Sequence, residues 1–288
     1  MRRVSALLLG ALLSASCSST GRATPPERFG RVPVGDSFLH YGVRGSGPTL
    51  VLVHGGQTDL GMWDPQVETF ARTHRVLRYD VRGFGRSGDV GEPYASHEDL
   101  AALLDALDVE RCSVIGLSLG GRIAIDFALD HPDRVERLVL AAPGLTGWDW
   151  SGEEHAFFQP IVEAAVAGDT RRACELWLQS PYMVPAMERA EVAATLRELA
   201  FRNQRSWLLP PVETRREPPA TEQLEALSMP VLLIVGDRDV PDISRIADVL
   251  EERVPDLERL DLAGVGHMPN LEARATFDEA VSTFLSAP

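Results

Sequence analysis

Apolar residues come in short unbroken runs along most of this chain. Leu50-Val51-Leu52-Val53 is one, Val114-Ile115 after Cys112 another, then Leu138-Val139-Leu140 and Val231-Leu232-Leu233-Ile234-Val235. Runs of this length without polar alternation suit strands covered on both faces, and so predict a mainly parallel sheet. Between them the spacing changes to that of helices. Leu100, Leu103, Leu104 and Leu107 share one face after Ser96-His97-Glu98-Asp99, which reads as a capping box. Ile123, Ala124, Phe127 and Ala128 mark a second helix that stops near His131-Pro132. Two strands around Arg31–Val34 and Phe38–Val43, joined by Gly35-Asp36, read as an antiparallel hairpin. Strands alternating with helices predict an α/β fold with a doubly wound sheet.

The rhythm breaks over residues 145–225, which hold Trp148, Trp150, Trp177 and Trp207, several helical stretches and no strand-like run. This predicts a helical insertion over one edge of the sheet, which divides the core into residues 29–144 and 226–288. The N-terminus differs again. Met1-Arg2-Arg3, an apolar run from Val4 to Leu13, and Ser14-Ala15-Ser16-Cys17 have the parts of a secretory signal. A ten-residue run rises only about 15 Å as a helix, too short to span a bilayer. Residues 1–16 are therefore expected to be a signal peptide and 17–28 a polar linker. The segment Leu13–Cys17 resembles the lipobox of bacterial lipoproteins, which implies a lipidated Cys17 and an exported protein of the cell envelope whose only membrane contact is that anchor. Ordinary cleavage and a periplasmic or secreted protein are the alternative.

Composition narrows the partners. A formal charge of -14 repels phosphate backbones, which argues against nucleic acid, and mildly favours a neutral or cationic small molecule as substrate. The three cysteines, Cys17, Cys112 and Cys174, are not accompanied by histidines at metal spacing, so no metal site is expected. Cys112 and Cys174 fall in a predicted strand and helix, where both read as small buried hydrophobes, with a bridge between them left open.

Candidate chemistry centres on Gly116-Leu117-Ser118-Leu119-Gly120-Gly121, between a strand and a helix. Glycines on either side let the backbone turn sharply and lift the serine hydroxyl to the edge of the sheet, near a helix N-terminus. A serine needs a base, and His267 in Gly264-Val265-Gly266-His267-Met268-Pro269 sits on a loop able to carry an imidazole there. His97 and His131 read as helix-end residues, while His40, His74 and His155 lack a chemical context. The base needs an orienting carboxylate, and Asp237, Asp239 and Asp242, past the end of the Val231–Val235 run, compete for the role. His54-Gly55-Gly56 after Val53 offers backbone N–H groups for an oxyanion, assigned to Gly56 and Leu119, with His54 itself structural.

Four segments together resemble the α/β-hydrolase superfamily: His54-Gly55-Gly56, Tyr79-Asp80-Val81-Arg82-Gly83-Phe84-Gly85-Arg86-Ser87, Gly116–Gly121, and Gly264–Pro269. His131-Pro132-Asp133-Arg134-Val135 adds a fifth. The small esterases, enol-lactonases and cofactor-free haloperoxidase-like enzymes are the most similar branch. That resemblance implies a catalytic triad of Ser118, Asp239 and His267 in this chain order, no cofactor, and a cap domain at the insertion. It implies hydrolysis of a carboxylic ester or lactone of a small apolar substrate through an acyl-enzyme. Acyl transfer or perhydrolysis would use the same triad. A ligand receptor with vestigial hydrolysis is the alternative from another class, to be separated by turnover on an ester panel.

Overall fold

The structure, a computed structural model, describes residues 25–287. Residues 1–16 and Cys17, with their expected export signal and lipidation site, lie outside the described residues. Eight strands build the sheet: β1 (Arg28–Val34), β2 (Ser37–Gly45), β3 (Thr49–Val53), β4 (Arg75–Tyr79), β5 (Cys112–Leu117), β6 (Val135–Ala141), β7 (Val231–Gly236) and β8 (Leu257–Leu262). Their order is β1-β2-β4-β3-β5-β6-β7-β8. β1 and β2 form the antiparallel hairpin and β2 also runs antiparallel to β4, while every later pairing is parallel. Every residue of β5 and β7 is buried, which is why their sequences, Ser113 apart, are apolar rather than alternating.

The helices are α1 (Asp64–Phe70), α2 (Ser96–Ala106), α3 (Leu119–Asp130), α4 (Gly152–Val166), α5 (Thr170–Leu178), α6 (Val184–Met187), α7 (Ala190–Arg202), α8 (Pro241–Arg253), α9 (Pro269–Glu272) and α10 (Arg274–Ser286). α2 packs on α3, which lies against β3, β5 and β6; α1 packs on α10, which reaches β7, and α8 covers β7 and β8. A single apolar cluster runs from the sheet into α5 and α7 through Ile161, Ala173, Leu196 and Leu199. Helices α4 to α7 all fall between β6 and β7, and the segment leaves the C-terminal end of β6 and returns to the N-terminal end of β7, the neighbouring parallel strand.

Some local expectations are corrected. The expected capping box does not form: Ala95 is the N-cap of α2 without a side-chain bond, and the Ser96 hydroxyl donates to Glu213 Oε1 at 2.5 Å. A partner over a hundred residues away has outcompeted the local cap. β4 is a strand that the apolar pattern did not reveal, because Arg75 and Arg78 interrupt it. Arg78 is nevertheless buried, donating to both Glu27 oxygens at 2.8 and 2.7 Å and to the Leu60 carbonyl at 2.8 Å. Cys112 and Cys174 are buried and free, so no bridge joins them. Among the described residues no helix is long and apolar enough to cross a membrane.

Parallel pairing brings the C-terminal ends of β3, β5, β7 and β8 to one edge. Val53 pairs with Gly116, Leu117 with Ala141, and Gly236 with Leu262. The residues that follow these strands are His54-Gly55-Gly56, Ser118, Asp239 and the His267 loop.

Candidate active site

Ser118 stands between β5 and α3 with φ 53° and ψ -110°, a backbone conformation that side chains other than glycine's rarely adopt. Its N–H donates to the Ala141 carbonyl at 3.0 Å, and its own carbonyl accepts from Arg122 and Gly144 N–H at 3.0 Å each. These bonds hold the turn in place. The flanking glycines are demanded by packing: a Cβ on Gly116 would lie 2.2 Å from the Gly120 carbonyl oxygen, and one on Gly120 would lie 2.2 Å from that of Val53. Strand and helix therefore approach backbone to backbone, with Ser118 at the apex.

His267 is buried, and its Nδ1 lies 2.8 Å from Asp239 Oδ2. The Asp239 carboxylate is shielded from solvent, and its other oxygen accepts from Val240 N–H at 2.7 Å. With Nδ1–H directed at the carboxylate, Nε2 is left as the free acceptor of the imidazole. The loop carrying His267 is braced from below: Glu272 accepts from Gly266 N–H at 2.9 Å and Met268 N–H at 3.0 Å. The three competing aspartates separate cleanly. Asp237 is exposed and accepts from Gly264 N–H at 2.7 Å, steadying the base of the same loop. Asp242 turns away to Ser151 Oγ at 2.5 Å, Trp148 Nε1 at 3.1 Å and Arg245 at 2.8 Å. Despite burial, these donors hold the Asp242 carboxyl down at about 2.

Ser118, His267, Gly56 and Leu119 line one cavity of about 560 Å³. A Cβ on Gly56 would meet nothing within 4 Å, so the backbone there faces open space. The N–H groups of Gly56 and Leu119 have no hydrogen-bond partner among the described residues. The opposite walls come from the helical segment and include all four tryptophans singled out above, with Phe158 and Tyr182. His54 is structural: it is fully buried, Nδ1 bonds the Gly55 carbonyl at 2.8 Å and Nε2 accepts from Val81 N–H at 2.9 Å. Burial lowers its pKa, outweighing the attraction of Asp80 and Asp59, so the imidazole is held neutral in the tautomer those two bonds require.

Several residues of the site escaped sequence reasoning. Tyr182 sets its ring edge-on to His267, centroids 4.5 Å apart, and its hydroxyl donates to Glu154 Oε1 at 2.6 Å. Burial raises the Glu154 carboxyl against the effect of that bond, and raises the Tyr182 phenol as well. His155, without a chemical context in the sequence, lines the cavity beside Glu154, as do Arg122 and Arg215. No motif marks these positions; the path of the helical segment brings Glu154, His155, Tyr182 and Arg215 here, while Arg122 comes from α3, four residues after Ser118. Away from the cavity, ligand atoms of His97, Glu98 and Asp130 lie within 4.8 Å of one another, close enough to share a metal ion. Asp130 is already engaged by Arg216 Nε at 2.7 Å and His97 Nε2 at 3.2 Å, the arrangement of an ion-pair network. The sequence missed this grouping because it joins the start of α2 to the end of α3.

The model of the alpha/beta hydrolase fold family matches residues 48–273. A pimeloyl-[acyl-carrier protein] methyl ester esterase of Aeromonas hydrophila is 31% identical over 252 residues, covering 84% of this chain and 96% of that protein. A 3-oxoadipate enol-lactonase 2 of Acinetobacter baylyi is 26% identical over 260 residues, covering 87% and 94%. Among solved structures, the enol-lactonase of Burkholderia xenovorans superimposes with a TM-score of 0.74 at 27% identity, covering 90% of this chain and 100% of that one. With sheet order, strand-end chemistry and family model in agreement, the chain belongs to the α/β-hydrolase fold family.

Proposed function

We propose that this hydrolase cleaves a carboxylic ester or lactone of a small, largely apolar substrate through an acyl-enzyme on Ser118. Ser118 Oγ attacks the carbonyl carbon while His267 Nε2 takes its proton, and the tetrahedral oxyanion is held by the N–H groups of Gly56 and Leu119. His267 then returns the proton to the departing alkoxide. Water, deprotonated by the same imidazole, attacks the ester on Ser118 and releases the acid. Asp239 fixes the tautomer and stabilises the imidazolium. The observation that carries this reading is the 2.8 Å contact between His267 and Asp239 in a cavity that Ser118 also lines. The names of the relatives, a methyl ester esterase and an enol-lactonase, support the same chemistry. Aromatic walls drawn from the helical segment support a role for it as a cap that selects substrate.

A fluorophosphonate probe tests the proposal, because it labels only an activated serine. Labelling mapped to Ser118, lost in Ser118→Ala and in His267→Ala, together with turnover on an ester panel, is the expected result. A chain that binds esters without turning them over is a receptor instead. Export and lipidation at Cys17 belong to the same proposal on the strength of the Met1–Cys17 pattern alone. Mass spectrometry of the mature N-terminus from a membrane fraction tests them, and an unmodified soluble chain would exclude the anchor.

A further inference from the structure

The aromatic and aliphatic walls of the cavity are interrupted at Glu154 and His155, and again where two arginines meet. Arg122 lies on α3 one helical turn beyond Ser118, a rise of about 6 Å along the axis. Its Nη2 donates to Glu213 Oε1 at 2.7 Å, and Nη1 lies 3.5 Å from Asp126 Oδ2. Arg215 reaches the same carboxylate from the far end of the helical segment, Nη1 to Glu213 Oε2 at 2.8 Å. Both arginines line the cavity. Glu213 is thus fully used, since it also accepts from Ser96 at 2.5 Å. Arg215 is not. Its side chain is 50% exposed, and Glu213 is its only polar partner among the described residues, leaving most of its five donors open.

Two guanidinium groups face one carboxylate shared between them and a second, Asp126, that is wholly buried, with Oδ1 lacking any partner. Burial raises the Asp126 carboxyl, and the Arg215 pKa is lowered by its own burial and then by Arg122. The Arg215 shift means that Glu213 and Asp126 do not fully offset burial and the neighbouring Arg122.

We propose that the Arg122–Arg215 end of the cavity receives a carboxylate of the substrate, remote from the bond that is cut. The preferred substrates are then half-esters or lactone acids, with the carbonyl at Ser118 and a free carboxylate paired with the open donors of Arg215. This rests on the ester-hydrolase reading and narrows it. The acidic surface of the whole chain favours neutral or cationic ligands, and the corner reverses that preference locally. Arg215 supplies a planar fork suited to a carboxylate, while Arg122, clamped by Glu213 and Asp126, supplies fixed positive potential behind it.

The test compares monomethyl with dimethyl esters of the same dicarboxylic acids, succinic through suberic, so that only the distant charge differs. The wild-type enzyme should favour the monoester in kcat/KM by about 10- to 100-fold at its preferred length, mainly through KM, as a charge-assisted hydrogen bond warrants. Arg215→Gln should collapse that ratio towards unity, and Arg215→Lys, a point charge without the fork, should keep part of it. Equal use of monoester and diester at every length would overturn the proposal. So would an Arg215→Gln enzyme that loses both activities alike, the signature of a purely structural clamp on Glu213. If no ester is turned over and Ser118 is not labelled, the hydrolase reading fails, and the subsite is then judged by calorimetry on Ser118→Ala. Binding of monoester over diester, lost on adding Arg215→Gln, sustains it; equal or absent binding ends it.

Discussion

Ser118 and Asp239 stood out in the sequence to different degrees. Ser118 sits in a motif whose glycines have a local cause, the close contact of β5 and α3, and local causes leave local patterns. Asp239 was one of three aspartates within six residues, and nothing in their order says which will face an imidazole. The geometry separates them, and their substitutions should differ accordingly. Asp239→Asn leaves His267 without the acceptor that fixes its tautomer, so turnover should fall by about 10⁴, the scale known for a serine-protease triad. Asp237→Asn loses a carboxylate at an exposed turn, worth about 1 kcal/mol, and should keep most of its activity. Turnover at matched folded concentration decides, and the reverse ranking would move the orienting acid to Asp237. Glu154, Tyr182 and Arg215 were illegible at this scale because their convergence depends on how a long helical segment folds back.

At the scale of elements, the sheet was readable wherever strands are covered on both faces, and hidden where a buried charge intervenes. Arg78 in β4 is the case in point, since its partners Glu27 and Asp64 come from separate stretches of chain. The Tyr79–Ser87 motif, conspicuous in the sequence, turns out to organise loops. Asp80 accepts from Leu60 N–H and Arg86 N–H at 2.8 Å each, and Arg82 grips Asp99 with two bonds of 2.8 and 2.7 Å. A neighbouring carboxylate does comparable work between elements. Asp59, which caps the 3-10 turn Leu60–Trp63 just after the Gly55-Gly56 loop, receives Arg202 at 2.7 and 2.8 Å and Asn203 at 2.8 Å from the end of α7. These donors hold the Asp59 carboxyl below its usual range, although burial acts in the opposite direction. Asp59→Ala should cost about 1–3 kcal/mol by leaving Asn203 short of a buried partner. It should also speed amide exchange in α7 while that in β5 stays slow. Unchanged exchange in α7 would mean that the helix is held by its apolar face alone.

The whole molecule carries the signature of its buried neutral histidine. His54 binds a proton less readily folded than unfolded, so below the ordinary value of 6.5 the unfolded chain takes up a proton that the folded chain refuses. Stability is therefore full above about pH 6.5 and falls as the solution is acidified, by up to about 1.4 kcal/mol per pH unit for this one group. His74, also lowered by burial, adds in the same direction. Urea unfolding between pH 8 and pH 5 should show this decline, and His54→Asn, less stable overall, should show a shallower one. Parallel curves would mean that His54 accepts its proton in the folded state after all.

The attachment of the helical segment has a consequence for inheritance. Its two ends leave from the C-terminal end of β6 and the N-terminal end of β7, neighbouring parallel strands whose backbone hydrogen bonds set Val231 three residues, about 10 Å, along the strands from Ala141. Closing a longer excursion across that fixed gap adds only about 0.6 kcal/mol for each doubling of its length. Length changes in the exposed turns of this segment, such as that at Gly168 between α4 and α5, are thus thermodynamically cheap, whereas the same changes in β5, β7 or β8 would shift Ser118, Asp239 or His267 out of reach of one another. Lineages descending from such a chain are free to vary the helical walls of the cavity while passing on intact the strand ends that carry Ser118, Asp239 and His267.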